Sequence, residues 1–272
     1  MGPVETPALF IWQPFIWPPF YLSRTGSASM PIALDTLAKV TLAPVLLAQA
    51  RKVRRSALIL PEAAGARAGG PADHPPDHPR AGAARQRLLI LGDSSAAGVG
   101  AVRQEQALSG GLARLLPQVA WRLEARTGAT TASAFGALDT LNGAQFDCVL
   151  VVLGVNDVTH MVPQRRLLAQ RHALYHRLIS GHCAKRIVVS GLPPMGAFPL
   201  LPQPLAWVLG RQAARFDAAL ADQAARMGHS YLRHHARFDV GLMAADGFHP
   251  GPVAYQLWAE RLAPLLFPQY SP

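Results

Sequence analysis

From Arg87 onward, short apolar runs alternate with stretches in which hydrophobic residues recur at three- and four-residue spacing. Short bounded runs suit buried strands, and the longer periodic stretches suit helices packed on them. The pattern predicts strands at 87–91, 119–125, 147–153, 186–190 and 230–233, with helices near 106–116, 164–180, 205–227 and 253–265. The run Cys148-Val149-Leu150-Val151-Val152-Leu153 is apolar without alternation, as expected of a strand covered on both faces. Strands alternating with helices mark βαβ units, so the expected fold class is α/β, a three-layer α/β/α sandwich around a parallel sheet of about five strands. Sheets of this kind place their sites at the carboxyl ends of the strands.

Upstream the pattern predicts three further segments. Residues 1–29 are irregular, because Pro14, Pro18 and Pro19 are too closely spaced among the aromatics of Phe10 to Phe20 for a continuous helix. A more regular pattern opens at Met30, which points to an upstream mis-start. Residues 30–61 read as an apolar and basic helical segment: Ile32 to Ala50 is mostly apolar and is followed by Arg51, Lys52, Arg54 and Arg55. Asp35 and Lys39 interrupt that run and Pro44 would kink it, so it falls short of the ~20 apolar residues that a bilayer crossing needs. It fits a helix lying on a membrane surface as well as one packed on the domain. Residues 62–86, rich in Ala, Gly, Pro, His and Asp without periodicity, read as a flexible linker, which leaves 87–272 as the folded domain.

Half of the 272 residues are hydrophobic, enough for a sizeable core. Lys and Arg outnumber Asp and Glu by 26 to 16, and the resulting net charge of +10 suits anionic partners. Only Lys39, Lys52 and Lys185 are lysines, however, and the wealth of Arg, Ala, Pro and Gly matches a GC-rich coding bias. With no aromatic-plus-basic reader signature, nucleic acid is not an expected partner. Cys148 and Cys183 cannot form a disulfide framework and read as free thiols. No cleavable signal pattern opens the chain, so the expected compartment is the cytoplasm or a membrane surface.

Candidate chemistry gathers at two strand ends and just before the last helix. The first strand runs into Gly92-Asp93-Ser94-Ser95-Ala96-Ala97-Gly98, which presents a serine on a turn. No Gly-Lys-Ser/Thr follows, so this is not a phosphate loop, and the Gly-x-Ser-x-Gly elbow is absent too. The third strand ends in Gly154-Val155-Asn156-Asp157, residues that serve either as caps of the next helix or, through the Asn amide, as a donor to a developing oxyanion. Before the last helix comes Asp246-Gly247-Phe248-His249-Pro250, whose spacing lets a turn set the carboxylate against one imidazole nitrogen while the other faces a serine.

Together these motifs resemble blocks I, III and V of the SGNH (GDSL) hydrolases, over roughly residues 87 to 266. The resemblance implies a flavodoxin-like sheet of order 2-1-3-4-5 and esterase, lipase, thioesterase or carbohydrate-deacetylase activity without metal or organic cofactor. It implies Ser94 as nucleophile in preference to Ser95, His249 as base and Asp246 orienting it. The implied oxyanion hole comprises the Ser94 amide, the Asn156 side chain and the amide of a glycine after the second strand, matched by Gly128 with Gly136 as fallback. Alternatives are a carbohydrate O-acetyl esterase and a non-catalytic membrane-peripheral binding module on the same fold.

The proline-rich stretch after the fourth strand adds Met195, Phe198, Leu200 and Trp207 as candidate walls of an apolar acyl pocket, which favours lipid or other acyl esters or thioesters. His172 and His176 share a helix face without the acidic partner of a zinc motif. His74 and His78 fall in the linker, and His234 and His235 follow the fifth strand with a surface role expected.

Overall fold

The computed structural model describes residues 32–71, 86–234 and 239–270, with side chains from Val40 onward. The segment 1–29, the expected start at Met30, linker residues 72–85 with His74 and His78, and His235 lie outside the described residues. Contacts divide the chain into two units, Met1–Val40 and Thr41–Pro272. Of the first, the structure describes the opening of helix α1 (Ile32–Ser56) as backbone; the second carries the sheet and its helices.

The sheet has six strands: β1 (Ala68–Gly69), β2 (Gln86–Gly92), β3 (Val119–Ala125), β4 (Cys148–Val152), β5 (Arg186–Ser190) and β6 (Ser230–Leu232). The five long strands are parallel and run β3-β2-β4-β5-β6, the relative order expected. The whole sheet departs from that expectation, because β1 adds antiparallel to the outer edge of β3. Residues 62–71 are therefore built into the domain rather than into a flexible linker. The Leu123 amide donates to the Arg67 carbonyl at 2.7 Å, Ala63 is buried, and the buried Gln104 amide donates to the carbonyls of Ala63 and Ala97. Main-chain bonds hold this edge, and a two-residue strand leaves no periodicity to read.

Continuous apolar strands need cover on both faces, and they have it. Leu88, Ile90, Leu150 and Val188 pack under α2 (Leu108–Leu115) and α7 (Pro252–Leu266). Leu89, Leu91, Val149, Val151 and Val189 pack under α3 (Ala134–Asp139), α5 (Gln164–His182) and the end of α6 (Leu205–Arg226). Each fully buried Leu or Val contributes about 2 kcal/mol relative to exposure, which makes these two layers the main support of the rim above. Four predicted helices thus stand within about two residues of their expected ends, the usual uncertainty of a helix boundary.

A third cluster lies at the rim itself, where Met195, Phe198, Leu201, Leu205 and Phe216 pack together with Leu46, Ala50 and Val53 of α1. Helix α1 continues through Pro44, although proline removes one backbone bond from the ladder. Its packed face and Gln49, which donates to the Gln203 carbonyl at 2.6 Å and accepts from the Leu205 amide at 3.1 Å, offset that loss. Among the described residues no helix is long and apolar enough to cross a membrane. Cys148 and Cys183 are free thiols, and burial pushes the Cys148 thiol up to about 12.

Candidate active site

Ser94 stands two residues past the end of β2. The chain folds back on itself there, and a side chain on Gly92 would come within 2.8 Å of the Val152 carbonyl, so only glycine lets the turn sit this low over the sheet. The Asp93 carboxylate accepts from the Ser95 amide at 3.0 Å, and the Ser94 carbonyl accepts from the Val99 amide at 3.0 Å. Tyr255 of α7 clamps the far side of this loop by donating to the Val99 carbonyl at 2.6 Å. Ser94 is held in place with 7% of its surface exposed.

His249 reaches it from the turn before α7, with Nε2 2.8 Å from Ser94 Oγ and Nδ1 2.6 Å from Asp246 Oδ2. The other carboxylate oxygen of Asp246 accepts from the amides of Phe248 at 2.9 Å and His249 at 3.0 Å. Burial alone would raise the Asp246 carboxyl, but the His249 amide, the His249 ring and the Phe248 amide together hold it below the usual carboxylate range. Its stabilising contribution is accordingly lost only as pH falls below that range. An anion at Asp246 keeps the proton on Nδ1 and leaves the Nε2 lone pair aimed at the serine hydroxyl. The arrangement can move the Ser94 proton to His249.

Strand β4 delivers Asn156 on α4 (Val155–Thr159), entered through Gly154 at φ +130°, where a side chain would also lie 2.7 Å from Leu192. Neither Asn156 nor Asp157 caps that helix. The Asn156 side-chain amide donates to the Ala129 carbonyl at 3.0 Å, which uses one of its two N–H groups and leaves the other to donate elsewhere. Asp157 is buried and accepts from the amide and hydroxyl of Thr131. Both bonds tie α4 to the loop 128–131, so Gly128, exposed at φ +80°, lies in the segment bound to Asn156. Gly136 lies on α3.

Two buried charges beneath this rim escaped sequence reasoning. Arg171 of α5 is fully buried and donates to the Leu153 carbonyl, just ahead of Gly154. Burial pushes the Asp93 carboxyl up to about 7, against the pull of the Ser95 amide and the Arg171 charge, while the Asp157 charge adds to the rise. An acid raised on folding binds more protons folded than unfolded between ~4 and about 7, so it makes stability fall as pH rises through that window. Asp93→Asn keeps an acceptor for Ser95 and removes the fall. Relative to wild type, this variant gains about 2–4 kcal/mol in urea unfolding between about pH 5 and about pH 8. Parallel pH profiles would mean that Asp93 does not titrate there.

Residues 90–257 match the GDSL-like lipase/acylhydrolase family. The chain belongs to this family. It is thus an ester-hydrolysing enzyme. Its fold is shared with the extracellular lipase of Streptomyces rimosus at 20% identity and a TM-score of 0.54, over 66% of this chain and 99% of that one. TesA matches at 22% identity and a TM-score of 0.53, over 67% and 99% of the two chains. A psychrotrophic esterase, EstA of a Pseudoalteromonas species, solved with monoethylphosphonate as inhibitor, matches at 20% and 0.51, over 66% and 96%. Curated protein sequences give no match.

In this GDSL-like hydrolase a cavity of about 100 Å³ opens beside Ser94 and His249. Asp93 and Ser95, which flank Ser94, and Phe248 and Pro250, which flank His249, contribute to its lining with Leu192 and Phe198. Of the four expected pocket residues, only Phe198 lines it. Met195 is fully buried in the rim cluster, Leu200 donates its amide to Gly247, and Trp207 lies under the Arg211 guanidinium at 5.4 Å. A helical turn at Met195–Ala197 directs every third residue of the loop, Met195, Phe198 and Leu201, into the core, which reading the loop as one wall could not resolve. His172 and His176 lie 4.5 Å apart on α5, and among the described residues no group of three or more His, Cys, Asp or Glu gathers as metal ligands would.

Proposed function

We propose that this hydrolase cleaves carboxylic acyl esters through an acyl-enzyme on Ser94, with residues 87–272 as the hydrolase domain and 62–71 as its outer edge. The reading rests on the continuous bond from Asp246 through His249 to Ser94. Ser94 Oγ attacks the ester carbonyl as His249 takes its proton, and Asp246 stabilises the imidazolium that forms. The Ser94 amide, the second N–H of Asn156 and the Gly128 amide receive the charge on the tetrahedral oxygen. His249 then returns the proton to the leaving alcohol, and water releases the acid by the same steps in reverse. The apolar cavity supports acyl rather than sugar selectivity. A fluorophosphonate probe tests the assignment, since it should label the wild-type protein at Ser94 and leave Ser94→Ala unlabelled. Equal labelling of the two would refute it.

We also propose peripheral association with anionic membranes through the outward face of α1. Over the second unit, Leu46, Ala50 and Val53 face the domain, while Val45 and Leu47 stay exposed, followed by exposed Arg51, Lys52, Arg54 and Arg55. Those four cations have no acidic partner among the described residues, and Leu58 and Ile59 just beyond are exposed, Ile59 by 89%. Each basic residue near an anionic surface is worth about 1 kcal/mol. Sedimentation with phosphatidylcholine vesicles should show binding only when phosphatidylglycerol is included, and lose it at high salt or in a variant combining Arg51→Glu, Arg54→Glu and Arg55→Glu. No binding to the anionic vesicles at low salt would dismiss the surface.

A further inference from the structure

The cavity beside Ser94 is lined mostly by apolar residues, with Asp93 and Ser95 where it adjoins Ser94 and a further polar group against α7. Ser190, the last residue of β5, is 97% buried, with only 3% of its surface exposed, and lines that cavity together with His234 and Trp258. Its hydroxyl accepts from Trp258 Nε1 at 3.1 Å and lies 3.2 Å from His234 Nε2. A serine hydroxyl has one donor and two acceptor positions, and these two partners occupy two of the three. If His234 Nε2 carries a proton, the Ser190 O–H is left to donate. If it does not, the second lone pair is left to accept.

An alkyl chain filling the cavity would leave that remaining position unused, whereas a polar group there would gain a hydrogen bond. A hydroxyl on the chain both donates and accepts, so it satisfies Ser190 in either state of the histidine. The sheet register gives the reach. Gly92 and Val152 are paired, as are Val151 and Val189, so Ser190 stands level with Gly92 two strands away, about 10 Å at the usual strand spacing. Ser94 lies two residues beyond Gly92, and a medium-length acyl chain spans such a gap.

We propose that Ser190 forms the polar end of the acyl subsite, so that the preferred substrates are esters of hydroxy acids hydroxylated well away from the carboxyl rather than of plain fatty acids. This rests on the reading of Ser94 as nucleophile. The test compares p-nitrophenyl octanoate with p-nitrophenyl ω-hydroxyoctanoate on the full chain. Wild type should favour the hydroxylated ester in kcat/KM by about tenfold or more. Ser190→Ala should bring the ratio to about one whatever its absolute rates, and Ser190→Thr, which keeps the hydroxyl, should restore a preference. A merely structural role would change both esters alike and leave their ratio untouched. Equal rates on the two esters in wild type, or a preference for the plain chain, would overturn the subsite while leaving Ser94 in place. Loss of fluorophosphonate labelling at Ser94 together with no turnover of either ester would instead overturn both.

Discussion

Ser94→Ala is expected to lower kcat/KM on p-nitrophenyl octanoate by about 10⁴- to 10⁶-fold with the fold intact. The hydroxyl being removed is the atom 2.8 Å from His249 Nε2, and the turn that carries it is held by main-chain bonds and Gly92, neither of which needs the side chain. His249→Ala should cost about as much, and the double variant little more than either single one, because serine and base act as a unit and their losses do not add. Residual turnover would come from the oxyanion donors alone. Ester kinetics on variants checked by circular dichroism decide the matter. A folded single variant within about tenfold of wild type would remove Ser94 and His249 from the mechanism.

That prediction was within reach of the sequence because each element of the site sits next to a strand or helix whose pattern is unambiguous. Ser94, Asn156 and His249 follow or precede elements recovered to within a few residues, and strand ends on one side of a parallel sheet converge by topology alone. The same logic fails where local pattern is silent. Strand β1 is held by main-chain bonds to β3, which any residues could make, so the composition of 62–71 reads as linker. Met195 and Leu200 read as pocket walls by hydrophobicity alone, whereas a loop's side-chain directions depend on its turns. Arg171 left a trace that could have been read: it falls at helical spacing among Leu167, Leu174, Tyr175 and Leu178, the buried face of α5. A charge on an apolar face is a request for a buried partner.

The partner makes Arg171→Met the second large effect. The guanidinium holds the Leu153 carbonyl at the entrance to the Asn156 loop, but its Nε and Nη1 find no hydrogen-bond partner among the described residues. Its further value is therefore its charge, which opposes the burial-driven rise at Asp93. Taking away one member of a buried charge group strands the others, at a cost of about 3–5 kcal/mol, whereas replacing the members together is often neutral. Arg171→Met should accordingly lose about that much in urea unfolding at about pH 8, where Asp93 is ionised, and less at about pH 5, where it is protonated. The Asp93→Asn background should recover about 1–3 kcal/mol of the loss, the coupling expected of groups that share one network. A cost below about 1 kcal/mol, equal at both pH values and additive with Asp93→Asn, would mean that the guanidinium serves the Leu153 carbonyl alone and that the two charges beneath the active-site rim are independent.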